Sequence, residues 1–246
     1  YASRGLGDVY KRQTLAEVLI TLGIICVVAA MTLPTLINKN NNKVVETKLS
    51  KFYSVINQTI QRSEADNGDK KIWHQFENNV PVDNEGNPIP GQSLVEKWVN
   101  RYLAPYFKIT HIKYDSKGLP IFYLADGLIF KPDQTNTMND WVFYTMTPEK
   151  CISRAGSENK AYGKCAFRFM YKPVDTTPEM VYHYNRGFEP YKYQWNGKTN
   201  SLKTGIGGRF GCKSNCNTQY CNWYCTALIQ TNGWKIPKDY PHKVFY

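Results

Sequence analysis

From Val18 to Ile37 the chain runs 20 residues without a charged side chain. At about 1.5 Å of rise per helical residue, that run can cross the roughly 30 Å hydrocarbon core of a bilayer. Thr14–Ile37 is therefore expected to be a membrane helix. Two residues depart from a plain anchor: Glu17 at its N-terminal edge and Pro34 near its far end. A carboxylate in such a helix is unfavourable, by about 2.5–3.5 kcal/mol at the centre and less toward the interface, so it calls for a positive partner or for headgroup solvation. No basic residue lies one helical turn on. Pro34 removes a backbone hydrogen bond and crowds the preceding turn, which predicts a kink or local loosening, although membrane helices also tolerate such a proline.

Past the apolar run, Asn38–Asn42 is polar and a candidate soft spot in the helix. From Lys43 the helical pattern returns, with Val45, Leu49, Phe52, Ile56 and Ile60 at three- and four-residue spacing. One long helix is predicted from about Thr14 to Glu64, stopped by the turn sequence Asp66-Asn67-Gly68-Asp69. Residues 14–37 form its membrane half, 38–66 its amphipathic continuation, and 67–246 a globular head.

The head opens with a Pro/Gly-rich loop over residues 78–91, and Ser93 with Glu96 makes a capping box for a short helix that Pro105 stops. Strands are predicted at Tyr106–Tyr114, Pro120–Leu124, Gly127–Lys131, Trp141–Met146 and Cys165–Tyr171, with Met180–Tyr184 a weaker candidate. Asp115-Ser116-Lys117-Gly118 reads as a hairpin turn. The 18 Tyr and 6 Trp suit aromatic packing on a β-rich head. The fold class is α+β: a long N-terminal helix packed on an antiparallel sheet.

Cys26, inside the apolar run, is expected to be a small buried packing residue. The other six cysteines, Cys151, Cys165, Cys212, Cys216, Cys221 and Cys225, all fall in the head. Their even number beyond an anchor suggests three disulfides in an oxidising compartment. Cys151 and Cys165 bracket a short polar segment and are the preferred pair. The remaining four have the spacing C-x3-C-x4-C-x3-C, whose three pairings stay open; a four-cysteine zinc site is the alternative, disfavoured because exported thiols oxidise and short x2 spacers are missing. No cofactor or metal is expected. His74, His111, His183 and His242 are scattered, and no zinc-protease, nucleophile-elbow or P-loop motif is present, so no enzyme is expected. Gly205–Arg209 reads as a flexible loop. The 31 basic and 20 acidic residues give +11, of which +1 falls in residues 1–37 and +10 beyond. Such a surface attracts polyanions or is a solvated basic face.

The run Thr14-Leu15-Ala16-Glu17-Val18-Leu19-Ile20, followed by the apolar stretch and Pro34, resembles the N-terminal methylation motif of type IV pilins and type II secretion pseudopilins. In that family a glutamate stands four residues after the first residue of the mature chain, with a proline seventeen residues beyond; Glu17 and Pro34 have that separation. The motif covers about 25 of the 246 residues. The resemblance implies a single-pass precursor in the inner (cytoplasmic) membrane with its head outside the cytoplasm. It also implies removal of a basic leader by a prepilin peptidase, then packing of the apolar helices into a periplasmic or extracellular filament. Thr14, Leu15, Glu17 and Pro34 would serve assembly, Glu17 by pairing with the N-terminal amine of a neighbouring subunit. Some pseudopilin heads bind Ca²⁺, for which Asp126, Asp133 and Asp140 are candidates here, though not at EF-hand spacing.

The processing region departs from the family, since Arg12 and Gln13 stand where glycine and phenylalanine flank the cleavage site. Arg4–Gln13 resembles a translated adapter sequence, and residues 1–13 are left out of the fold reading. Lys11 and Arg12 satisfy the positive-inside rule for a cytoplasmic N-terminus. Cys225–Pro237 resembles the ending of prepilin-type proteins, and Cys225–Gln230 within it is expected as a short helix or strand. The expected function is a structural subunit of a pilus or secretion-type pseudopilus. One alternative is a minor or competence-type pilin whose basic head binds DNA or an acidic glycan. A membrane-anchored enzyme, marked by a cleft of converging titratable groups, is the other.

Overall fold

Helix α1 runs Leu15–Asn67 as one element, unbroken across Pro34 and Asn38–Asn42. It ends at Gly68, whose N–H bonds to the Glu64 carbonyl at 3.0 Å and whose φ of +78° suits a residue without Cβ. This computed structural model describes residues 14–73, 81–134, 139–215 and 218–246. The chain divides inside the helix: the first compact unit ends at Asn40 and the second runs Asn41–Tyr246. Most of the amphipathic continuation thus belongs to the head's own unit.

In that unit α2 spans Leu94–Tyr102. Its capping box is closed: Ser93 Oγ accepts from the Glu96 N–H at 3.2 Å, while the Glu96 carboxylate accepts from Ser93 Oγ, the Gly91 N–H and the Tyr114 hydroxyl. Pro105 then sits in a short 3₁₀ turn, Ala104–Tyr106, so the first strand begins at Ile109 rather than at Tyr106. Six strands follow, β1 Ile109–Tyr114, β2 Pro120–Leu124, β3 Ile129–Pro132, β4 Asp140–Tyr144, β5 Ala166–Met170 and β6 Glu189–Pro190. They form one antiparallel sheet in chain order. Met180–Tyr184 is not a strand. Its N–H groups at Met180 and His183 bond three residues back, to Thr177 and Met180, and Asn185 has φ +56°, so the segment turns instead and Glu189–Pro190 takes the sheet edge. Between β4 and β5 lie α3 (Pro148–Ala155) and α4 (Glu158–Ala161), and beyond β6 lie α5 (Thr199–Thr204) and α6 (Cys225–Thr231).

Both faces of the sheet are covered. On one, Val45, Leu49, Phe52, Ile56 and Ile60 of α1 meet the aromatic side chains of β2 to β5. Phe52 stacks on Phe143 at 4.6 Å and meets Phe169 edge-on at 5.0 Å. The polar margins of the helix are tied down as well. Lys48 donates to the Thr145 carbonyl at 2.6 Å, Tyr53 to Glu189 at 2.9 Å, and Glu46 accepts from the Ile236 N–H at 2.9 Å. On the other face, Ile129, Val142, Tyr144, Ala166 and Met170 lie under α6 and the aromatic residues around it.

Candidate functional site

Among the described residues, α1 is the one helix long and apolar enough to cross a membrane. Its large apolar side chains from Leu15 (78% exposed) through Met31 (73%) to Ile37 lie open. Left in water, such a surface is unfavourable by about 25 cal/mol per Å², so it needs lipid or protein around it. Cys26, expected to be buried, is exposed and unpaired on this stretch. At the helix start, the Thr14 N–H donates to Glu17 Oε2 at 2.9 Å and the Glu17 N–H donates to Thr14 Oγ1 at 3.3 Å. The two residues form a capping box, and the carboxylate sits at the positive end of the helix dipole. The T-x-x-E spacing of Thr14 and Glu17 is the local sequence signal of this cap. Leu15 is the first helical residue and Pro34 lies within the helix; Arg12 and Gln13 lie outside the described residues.

In the second unit, Cys151 is joined to Cys165 and Cys212 to Cys225. Cys221 is also disulfide-bonded, and Cys216 lies outside the described residues. Ligand atoms of Cys212, Cys225 and His242 lie within 4.8 Å of one another, but the two sulfurs are bonded together and neither offers a thiolate. Burial, and secondarily Lys164, pushes the His242 imidazole down to about 4. His183 is buried and accepts the Lys192 N–H at 3.2 Å, and His111 stacks on Tyr123; His74 lies outside the described residues. The three aspartates singled out for Ca²⁺ are separately engaged. Asp126 pairs with Lys51 at 3.0 Å, and Asp133 pairs with Arg168 and accepts from the Tyr162 hydroxyl.

The covered face of the sheet away from α1 carries the buried charged side chains Lys131, Arg168 and Asp140. Lys131 pairs with Asp115 at 2.6 Å. Arg168 pairs with Asp133, and its guanidinium lies 3.4 Å above the Trp223 ring; its Nε and Nη1, without hydrogen-bond acceptors, face aromatic rings instead. Asp140 is only 7% exposed. Gln134 Nε2 donates to its Oδ2 at 3.0 Å, whereas Oδ1 has no hydrogen-bond partner among the described residues. Desolvation raises this carboxyl to about 7, against a smaller opposing pull from Lys172. Asp140 lines a cavity of 290 Å³ whose other walls are largely aromatic. The turn that closes one side of it is Ile206–Arg209, with N–H to O bonds in both directions at 3.1 and 3.0 Å. Gly205 and Gly211 press so closely beside this turn that a Cβ on Gly205 would stand 2.1 Å from the Arg209 carbonyl oxygen. The glycine-rich loop is a tight packing device that presents Arg209.

A family described as "Family of unknown function (DUF6613)" matches residues 35–244. The chain belongs to this family. No curated protein and no solved structure matches it. In this DUF6613 member the family match takes in the whole sheet, the Cys151–Cys165 and Cys212–Cys225 disulfides and the aromatic cavity, and begins one residue past Pro34.

Proposed function

We propose that the chain is a structural subunit of a pilus- or pseudopilus-like filament, held in a membrane by the first half of α1 and polymerising through it. Its work in this reading is assembly rather than catalysis. The observation that carries it is the pairing of two halves in one helix. The stretch through Ile37 exposes its apolar side chains, with Glu17 at a capped N-terminus, while Val45–Ile60 are built into the core of an antiparallel sheet. A soluble protein has no use for the first half; a subunit that is stored in lipid and then packs helix against helix has two. Glu17, placed at the helix start, is where a neighbouring subunit's N-terminal amine would find its counter-charge. The head then sits outside the cytoplasm, consistent with its disulfides.

The capping box permits a discriminating test. The chain is expressed behind a basic prepilin leader with a prepilin peptidase and a pilus assembly machine. Glu17→Gln keeps a side-chain acceptor for the Thr14 N–H and loses only the charge; Glu17→Ala loses both. Both variants are expected to insert in the membrane at the parent level and to enter sheared filaments poorly. Normal incorporation of Glu17→Gln sinks the charge-pairing role and leaves Glu17 as a cap. Absence of the parent chain from filaments sinks the assembly reading itself.

A further inference from the structure

We propose that Lys192 and Gln230 join in an intramolecular isopeptide bond, with loss of ammonia, once the head has folded, and that Glu189 moves the protons. Lys192 lies just past β6 and is 4% exposed, and Gln230 lies on α6, 38 positions along the chain. Lys192 Nζ donates to Gln230 Oε1 at 2.8 Å and to the Tyr182 hydroxyl at 2.7 Å. Tyr182 in turn donates to Glu189 Oε2 at 3.2 Å, and the same oxygen accepts from Gln230 Nε2 at 3.1 Å. The four side chains close a ring of hydrogen bonds. A proton that leaves Nζ has a path through Tyr182 and Glu189 to Nε2, the nitrogen that must depart.

A buried ammonium is ordinarily paired directly with a carboxylate. Here, among the described residues, its two side-chain acceptors are neutral, and the Tyr182 and Trp195 rings lie 4.0 and 4.6 Å from it. Burial pulls Lys192 down to about 8, with Glu189 pulling the other way and Arg186 adding to the fall. A lysine desolvated among apolar groups in this way is an activated nucleophile. The terminal torsion of a glutamine is broad, so the carboxamide plane can turn and present Cδ to Nζ. The ammonium passes one proton through Tyr182 to Glu189, and the freed lone pair attacks Gln230 Cδ. The Nζ–Cδ bond forms and the Cδ–Nε2 bond breaks. Glu189 hands its proton to Nε2, a second proton from Nζ follows the same path, and Nε2 leaves as ammonium. The step needs no oxidant, reductant or co-reactant. Its product closes a loop that contains the Cys212–Cys225 disulfide and pins α6 to the end of β6.

The cross-link is independent of whether the chain polymerises. The test uses the full chain in detergent, held at pH 8, then reduced, alkylated and digested with trypsin for tandem mass spectrometry. The expected result is a branched peptide in which Lys192 is joined to Gln230, lighter than its two linear parts by one ammonia, with cleavage after Lys192 lost. The branch is the deciding signal, because a succinimide at an Asn-Gly pair such as Asn196-Gly197 sheds the same mass. Glu189→Gln should slow formation of the branch about a hundredfold, the scale of a lost acid–base group. Recovery of Lys192 and Gln230 from the parent chain only in linear, unmodified peptides overturns the proposal, and that result needs no variant to fold. A branch formed at the parent rate in Glu189→Gln overturns the role of Glu189.

Discussion

Burial of Asp140, whose side-chain hydrogen-bond donor among the described residues is Gln134, ties the stability of the head to pH. Its carboxyl is pushed from 3.8 to about 7, so between those values the folded state holds a proton that the unfolded chain has lost. Stability must therefore fall as pH rises from about 4 to 7, and the cost is fully present above that range, on the order of 4 kcal/mol as an upper bound. Asp140→Asn, nearly isosteric and never charged, should melt with the parent at pH 4 and well above it at pH 8; thermal melts at the two values check this, and equal melting at both would mean that the carboxyl titrates normally. The residue was visible in the sequence only as one of three spaced aspartates. Nothing local signals its burial, because the residues that cover it, Tyr191, Phe210 and Trp223, arrive from 51 to 83 positions further along the chain. Arg168 is the same case. In CAFRFMY strict alternation would put it on a solvated face, yet it is 1% exposed, since the cysteine-rich C-terminal segment covers the second face of the sheet. Glu17 is the opposite case, its partner Thr14 lying three residues away and legible as a capping box.

At the scale of elements, the second half of α1 serves as the hydrophobic centre of the head. Phe52 touches three sheet aromatics, Phe130, Phe143 and Phe169. Phe52→Ala should cost about 3–5 kcal/mol through lost burial and the cavity left behind, whereas the exposed Gln58→Ala should stay within about 0.5 kcal/mol. Urea melts of the two variants compare them directly, and equal losses would place the core elsewhere. This helix was legible because its period runs without interruption over many turns, and β1 to β5 because each is a short β-branched or aromatic run bounded by turn residues. The boundaries moved where backbone chemistry is local, as at Pro105, which carries the chain into a 3₁₀ turn before β1. Helices α3 to α5 leave no periodic signal in the sequence. They are four to eight residues long, too short for an apolar period to establish itself, and are held by disulfide and cap contacts. Met180–Tyr184 misled because its apolar and aromatic residues fit a strand while Pro178 and Asn185 impose turns at both ends.

The whole molecule joins two compact units that answer to different solvents. The residues of α1 up to Asn40 bury almost nothing within the chain, so their free energy is set by what surrounds them, while the unit from Asn41 onward is closed by its own two hydrophobic clusters. A substitution in the first unit should therefore alter partitioning and leave the melting of the second untouched. Val27 lies near the middle of the uncharged run and is 56% exposed, so Val27→Arg should cost about 2.5–3.5 kcal/mol in membrane insertion. The expected outcome is loss of the chain from the alkali-resistant membrane fraction, with the thermal transition of the aromatic head, followed by near-ultraviolet circular dichroism, unchanged within about 2 °C. Retention of Val27→Arg in the membrane would show that the uncharged run is not the anchor. A lowered head transition would show that the two units are energetically coupled through the helix they share. Loss from the membrane with an unaltered head is the pattern that a subunit carried by lipid before assembly requires, because its head must stay folded whichever surroundings the apolar half occupies.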